Sequence, residues 1–230
     1  MLYLRKIFLK RAIYFLCVFS ITSNVPVIRS NASDKNNNNA ILIDLNEERL
    51  YLINKDRNTI VKSYIVASGK PNTPSPIGTW KVISMGAWSG GFGTRWIGLN
   101  VPWGKYGIHG TNNPGSIGSE ASHGCIRMFN KDIEELYEKV SYGMIVTIYA
   151  GPYGPFGKGV KTLKPGDRGA DVLEIQRILK EKGYYFGKVD GVYGENMKKS
   201  IMEYRLENNL SINHFIDKEL YKSLGIRLID

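Results

Sequence analysis

A chain of 230 residues has room for one medium domain and one small one, each able to bury a core. Its 43% hydrophobic and 23% charged residues are those of an ordinary globular protein, which excludes collagen-like and low-complexity classes. Of the formal +10, the first 32 residues supply five basic side chains and no acid; the rest carries 26 basic against 21 acidic residues, with no basic stripe interleaved with aromatics, which argues against nucleic acid as a partner.

Residues 1–32 read as an export signal. A basic segment ends at Lys10-Arg11, and the apolar run Ala12–Ile21 is ten residues long. About 20 residues are needed to cross a bilayer, so the run fits a secretory signal better than a span. Ser30-Asn31-Ala32 offers a small-x-small cleavage site, and if it is left uncut the same segment attaches the protein to a membrane. Residues 33–39 form a polar linker.

Strand-like runs bounded by turn residues follow. Ala40–Leu45 and Arg49–Ile53 read as a hairpin, with further strands at Thr59–Ala67, Gly78–Ser84, Trp96–Asn100, Tyr106–His109 and Met144–Tyr149. One helix is expected after a capping Asn130, with Ile133, Leu136, Tyr137 and Val140 as its apolar stripe. Residues 40–150 are thus a mostly β domain, sandwich- or barrel-like, with one helix. Residues 151–159 (GPYGPFGKG) break both helix and sheet and mark an interdomain linker. Beyond it, helical periodicity at Asp171–Lys182, Glu195–Glu207 and Asp217–Leu224 predicts a small all-α domain of three helices over residues 160–230.

Cys17 lies inside the export segment, which leaves Cys125 as the one cysteine of the exported chain. It can make no internal disulfide in an oxidising compartment. Cys125 sits in IHGTNNPGSIGSEASHGCIRM (108–128), with two of the chain's three histidines. A thiolate is the attacking form and a free thiol has a pKa of roughly 8.5, so a nucleophilic cysteine needs a base or a cation nearby. His109, at the end of a predicted strand, is the candidate base if the intervening loop returns Cys125 to it. Gly124 permits a sharp turn whose N–H groups, its own and that of Cys125, could meet a developing oxyanion. Arg127 falls on the same strand face as Cys125, placed to bind a substrate carboxylate or to stabilise a thiolate. Two competing readings are weaker. His109, His123 and Cys125 offer only three zinc ligands at unfamiliar spacing, and the glycine cluster lacks the Lys-Ser/Thr and helix of a phosphate cradle.

HGT at 109–111 followed by SHGCIRM at 122–128, with TPSPIGTW at 73–80, resembles the L,D-transpeptidases with a YkuD-type catalytic domain. The resemblance implies Cys125 as acylated nucleophile, His109 as general base oriented by the backbone carbonyl of Gly110, and Ser122, His123 and Arg127 as substrate-binding positions. It implies no cofactor and no metal. LKPGDRGADVLEIQRIL and GYYFGKVDGVYGENMKKSI resemble a peptidoglycan-binding three-helix domain, with its DG-x-[FY]-G signature at Asp190–Gly194. Together these imply an exported enzyme at the cell wall that acts on peptidoglycan stem peptides and glycan. Capture of its thioester by an amine would give 3→3 crosslinks; capture by water would make it a carboxypeptidase; a spent site would leave a wall-binding protein. The tail is expected to be a tether, dispensable for the reaction on soluble peptides.

Overall fold

The computed structural model describes residues 38–228. The export segment and residues 33–37 of the polar linker lie outside the described residues. Ten strands and four helices follow in order: β1 Asn39–Asp44, β2 Arg49–Asn54, β3 Thr59–Ile65, β4 Ser68–Gly69, β5 Gly78–Ala87, β6 Arg95–Leu99, β7 Tyr106–His109, β8 Glu120–Ser122, β9 Ile126–Arg127, α1 Asn130–Tyr137, β10 Ile145–Tyr149, α2 Ala170–Glu181, α3 Glu195–Glu207 and α4 Lys218–Ser223. The expected classes hold, a mostly β domain with one helix followed by three helices.

The strands form one eight-stranded sheet in the order β3-β2-β1-β10-β5-β6-β7-β9, with β4 and β8 as a separate pair. Alternation explains which face is covered: Ile41 and Ile43 in β1, and Leu50 and Leu52 in β2, point inward and are fully buried. Burying each such side chain contributes roughly 1.5–3 kcal/mol. Instead of a sandwich of two sheets, this single sheet curls until its two ends meet. The chain leaves β3 at Ile65, earlier than its apolar pattern suggested, and Ala67 then pairs with Arg127 of β9. Each donates its N–H to the other's carbonyl at 2.9 Å. β9 is therefore held on one side by β7, to which it runs parallel, and on the other by Ala67.

Asn130 does not cap α1. Phe129 takes the cap position, its carbonyl accepting from the N–H groups of Asp132 and Ile133. The Asn130 side chain instead accepts from the Thr94 N–H at 3.3 Å, pinning the turn before β6. Val140 is buried as expected but lies past the end of the helix at Tyr137. Asn39, assigned to the polar linker, is already in β1, where it pairs with Asn54.

In the helical region α2 and α3 contribute Val172, Ile175, Leu179, Met197 and Ile201 to a second core. Asp217 caps α4 by accepting from the Leu220 N–H at 3.0 Å. Arg205 is fully buried among Asp217, Glu219 and the carbonyls of Ser211 and Phe215. The two hydrophobic patterns, however, are not self-contained. Leu173 of α2 joins the core of the sheet, with Ala170, Val189 and Val192 packed against it. The segment 151–159 is no free linker either: a 3-10 turn at Gly154–Phe156 lays Phe156 edge-on against Tyr221, 5.8 Å between ring centres. Glycine and proline forbid regular structure there but leave Phe156 free to pack.

Candidate active site

β7 and β9 are parallel neighbours in a register that sets Ile108 beside Ile126 and His109 beside Arg127. Cys125 lies immediately before β9, two residues from Arg127, and the strand's alternation continued to it would set it on the face of His109. Ile108 and Ile126 point the other way into the core. The sequence positions thus converge through strand pairing across a loop of fifteen residues, 110–124.

His109 is 3% exposed. Its Nδ1 lies 2.5 Å from the Gly110 carbonyl. A carbonyl can only accept, so Nδ1 carries the proton and Nε2 is the basic nitrogen. The ring is clamped by aromatics: Trp96, opposite it in β6, stacks on it at 5.8 Å, and Phe92 meets it edge-on at 4.9 Å. Burial pushes its pKa below the ordinary value, and the Arg127 charge adds to this, against the opposing pull of the Gly110 and Phe92 carbonyls. Burial likewise pushes the Cys125 thiol up, against a hydrogen bond that the Gly107 N–H donates to Sγ and against the Arg127 charge. Both effects favour neutral groups at rest, a thiol and an imidazole.

The turn at Cys125 is braced from below. Ser122 is 1% exposed; its hydroxyl donates to the Cys125 carbonyl at 2.6 Å and accepts the Gly124 N–H at 2.9 Å. This corrects the expectation for Gly124: its N–H is engaged by Ser122 and does not face a substrate. The Cys125 N–H has no acceptor among the described residues and is the donor left at this turn. Gly124 has φ +108, and a side chain there would lie 2.7 Å from the Tyr106 ring. Ser122 serves this local geometry and is covered, so it is not on the substrate surface. The TPSPIGTW segment closes around it: Thr73 Oγ1 and the Lys70 N–H both donate to the Ser122 carbonyl at 3.1 Å.

Arg127 is half-buried, and its Nε is shielded without a partner. His123 is exposed and lines a cleft of about 750 Å³ with Tyr106, Trp103 and the 71–77 loop. Among the described residues no three His, Cys, Asp or Glu side chains converge as a metal cage. Sequence reading gave no site role to Trp96, Phe92 or Tyr106, and took Asn130 for a helix cap. Trp96 had a usable signal, since antiparallel pairing of β6 with β7 sets it opposite His109.

Residues 38–148 match the L,D-transpeptidase catalytic domain family YkuD, and residues 168–224 match a putative peptidoglycan binding domain. A putative L,D-transpeptidase YkuD of Bacillus licheniformis is 44% identical over 109 residues, 47% of this chain and 64% of that protein. Its namesake in Bacillus subtilis is 48% identical over 92 residues, covering 40% of this chain and 55% of that protein. The chain thus spans less than two thirds of the length of either relative. The catalytic domain from an E. faecium L,D-transpeptidase, solved by NMR, is 23% identical, covering 48% of this chain and 96% of that one with a TM-score of 0.42.

Proposed function

We propose, from the premise that residues 38–148 are an L,D-transpeptidase catalytic domain and residues 168–224 a putative peptidoglycan binding domain, that this protein is an exported enzyme forming 3→3 crosslinks between peptidoglycan stems through a Cys125 thioester. What supports this reading is the parallel register that sets His109 beside Arg127, two residues from Cys125, with Nδ1 of His109 tied to the Gly110 carbonyl.

In the proposed cycle Nε2 of His109 takes the Cys125 proton as Sγ attacks the carbonyl between the third and fourth stem residues. Starting from a neutral pair, deprotonation accompanies attack, so no standing thiolate is exposed between turnovers. The Cys125 N–H meets the developing oxyanion. Collapse breaks the peptide bond, and the imidazolium returns its proton to the departing D-alanine amine. An amine of a second stem then loses its proton to His109 as it attacks the thioester, and the thiol is restored. No cofactor or metal takes part, because the thioester conserves the acyl transfer energy of the cleaved bond. The Gly110 carbonyl holds the ring and favours the imidazolium at each transfer. Arg127 meets a substrate carboxylate, and His123 shapes the entrance.

The test is mass spectrometry of purified wall peptides after incubation with the enzyme. The expected products are 3→3 dimers and free D-alanine, absent with Cys125→Ala, together with an acyl adduct on the Cys125 peptide. Tripeptides without dimers would make the enzyme a carboxypeptidase, and neither product would sink the catalytic reading.

A further inference from the structure

The cleft lined by His123 and Tyr106, next to the turn at Gly124, has two walls from different parts of the chain. One is the 71–77 loop, with Trp103, Tyr106 and His123. The other comes from the C-terminal region, residues 159–171, including Lys161, Lys164, Asp167, Arg168 and Asp171. This second wall is held in place. The Gly166 N–H donates to the Tyr193 carbonyl at 2.9 Å, the Tyr193 N–H to Asp167 at 2.8 Å, and the Gly169 N–H to Gly191 at 3.0 Å. Gly191, in the DG-x-[FY]-G signature, rests directly on the Trp103 ring. Trp103 meets Tyr106 at 6.5 Å, and Tyr106 lies under Gly124. A continuous line of contacts therefore joins the helical domain to the nucleophile's turn.

The charges of that wall are unequal in one respect. Asp171 pairs with Lys161 at 3.2 Å and accepts the Val172 N–H. Asp167 accepts the Lys164 N–H at 2.8 Å. Arg168, like Lys164, has neither an ion pair nor a side-chain hydrogen bond among the described residues; of the two, Arg168 carries the planar guanidinium, and it is exposed to the cleft. It shares this cleft with Tyr106, whose ring lies under the Cys125 turn at Gly124. A planar guanidinium with no anion of its own, carried on a backbone paired with Val192, suits a carboxylate.

We propose that Arg168 is a substrate-binding residue of the Cys125 site, supplied by the helical domain, and that it holds a carboxylate of the peptide lying in the interdomain cleft. This rests on the acyl-transfer reading above and extends it: the helical domain builds part of the peptide site, where the sequence suggested a tether alone.

The experiment uses the full chain carrying Cys125→Ala, so that binding is read without turnover. Affinity is measured by titration calorimetry for a synthetic tetrapeptide stem and for the same peptide with its carboxylates amidated. Arg168→Glu is expected to weaken the carboxylate peptide by about tenfold or more, the size of a lost charge-assisted contact, and to leave the amidated peptide unchanged. Arg168→Gln, which removes the charge and leaves a shorter polar side chain, should show a smaller loss in the same direction, and the affinity of the Arg168 chain should fall with added salt. Equal affinity of wild type and both variants for the carboxylate peptide would overturn the assignment, as would an equal loss for the amidated peptide or no binding of either. Turnover of the same peptide by the Cys125 chain reports separately on acyl transfer, so the two readings can fail independently.

Discussion

Gly191→Ala tests whether the helical domain is fastened to the sheet domain as described. Gly191 has φ +70, a left-handed conformation that costs an alanine about 1–2 kcal/mol. The new methyl would lie 2.5 Å from Cε3 of Trp103 and 3.0 Å from the Gly169 carbonyl oxygen. Trp103 has little room to retreat, being 6% exposed and edge-packed on Trp80 at 5.2 Å. Forcing a methyl into such a contact costs about 1–3 kcal/mol. The sum is about 2–5 kcal/mol, or a fall in melting temperature of about 4–20 °C for a chain of this size. Circular dichroism melts of the full chain measure the fall. Limited proteolysis within 151–159 should quicken in parallel, because an undocked helical domain no longer holds Phe156 in place. Melting within about 1 °C of wild type with unchanged cleavage would refute the reasoning and show that this contact does not secure the docking.

His109→Ala should lower turnover by about two to four orders of magnitude, the range for losing a positioned base, and His123→Ala by less; steady-state kinetics on a stem peptide would expose the reverse order. Alkylation of Cys125 by iodoacetamide should be slow at neutral pH and rise only above the ordinary thiol range, since burial lifts that pKa, whereas a rate already at plateau near pH 7 would point to a preformed ion pair. Because the native state holds His109 neutral below its ordinary pKa of 6.5, the unfolded chain binds the extra proton, so this residue's contribution to stability should be intact above about pH 6.5 and decline as pH falls below it, seen as a steeper fall of the denaturation midpoint on acidification in wild type than in His109→Gln. Ser122→Ala strips the Gly124 N–H and the Cys125 carbonyl of a buried partner and should cost about 1–3 kcal/mol in denaturant titration, with acylation slowed because the turn at Cys125 loosens.

Much of this arrangement was legible before any coordinates. Alternation at Ile41, Ile43, Leu50 and Leu52 marks the hairpin and its buried face, and Tyr106–His109 stands out as a short strand among glycines. The grouping of His109 with Cys125 could be read from a strand, a glycine-rich loop and a return. What local pattern does not encode is who lies across the gap. Asn130 has the chemistry of a cap, but a tertiary demand at Thr94 outcompetes the helix terminus for its side chain. Gly124 looked like a free donor because the hydroxyl that occupies it belongs to Ser122, whose direction depends on the turn itself. The docking of the helical domain was hidden for a similar reason: Leu173 fits a helical stripe whichever core it enters.

The joining of Ala67 to Arg127 bears on the order in which the chain acquires its reactivity. These two residues are sixty positions apart, and β1 must find β10, about a hundred residues downstream, before the sheet is complete. Long-range parallel pairing is slow because loop entropy is lost before contacts compensate for it, so folding on the millisecond-to-second scale is expected. The loop carrying the thiol is anchored only when β9 is enclosed on both sides. A chain still folding therefore carries an unshielded thiol, open to whatever oxidants and disulfides surround it, and becomes less vulnerable when the last ladder closes.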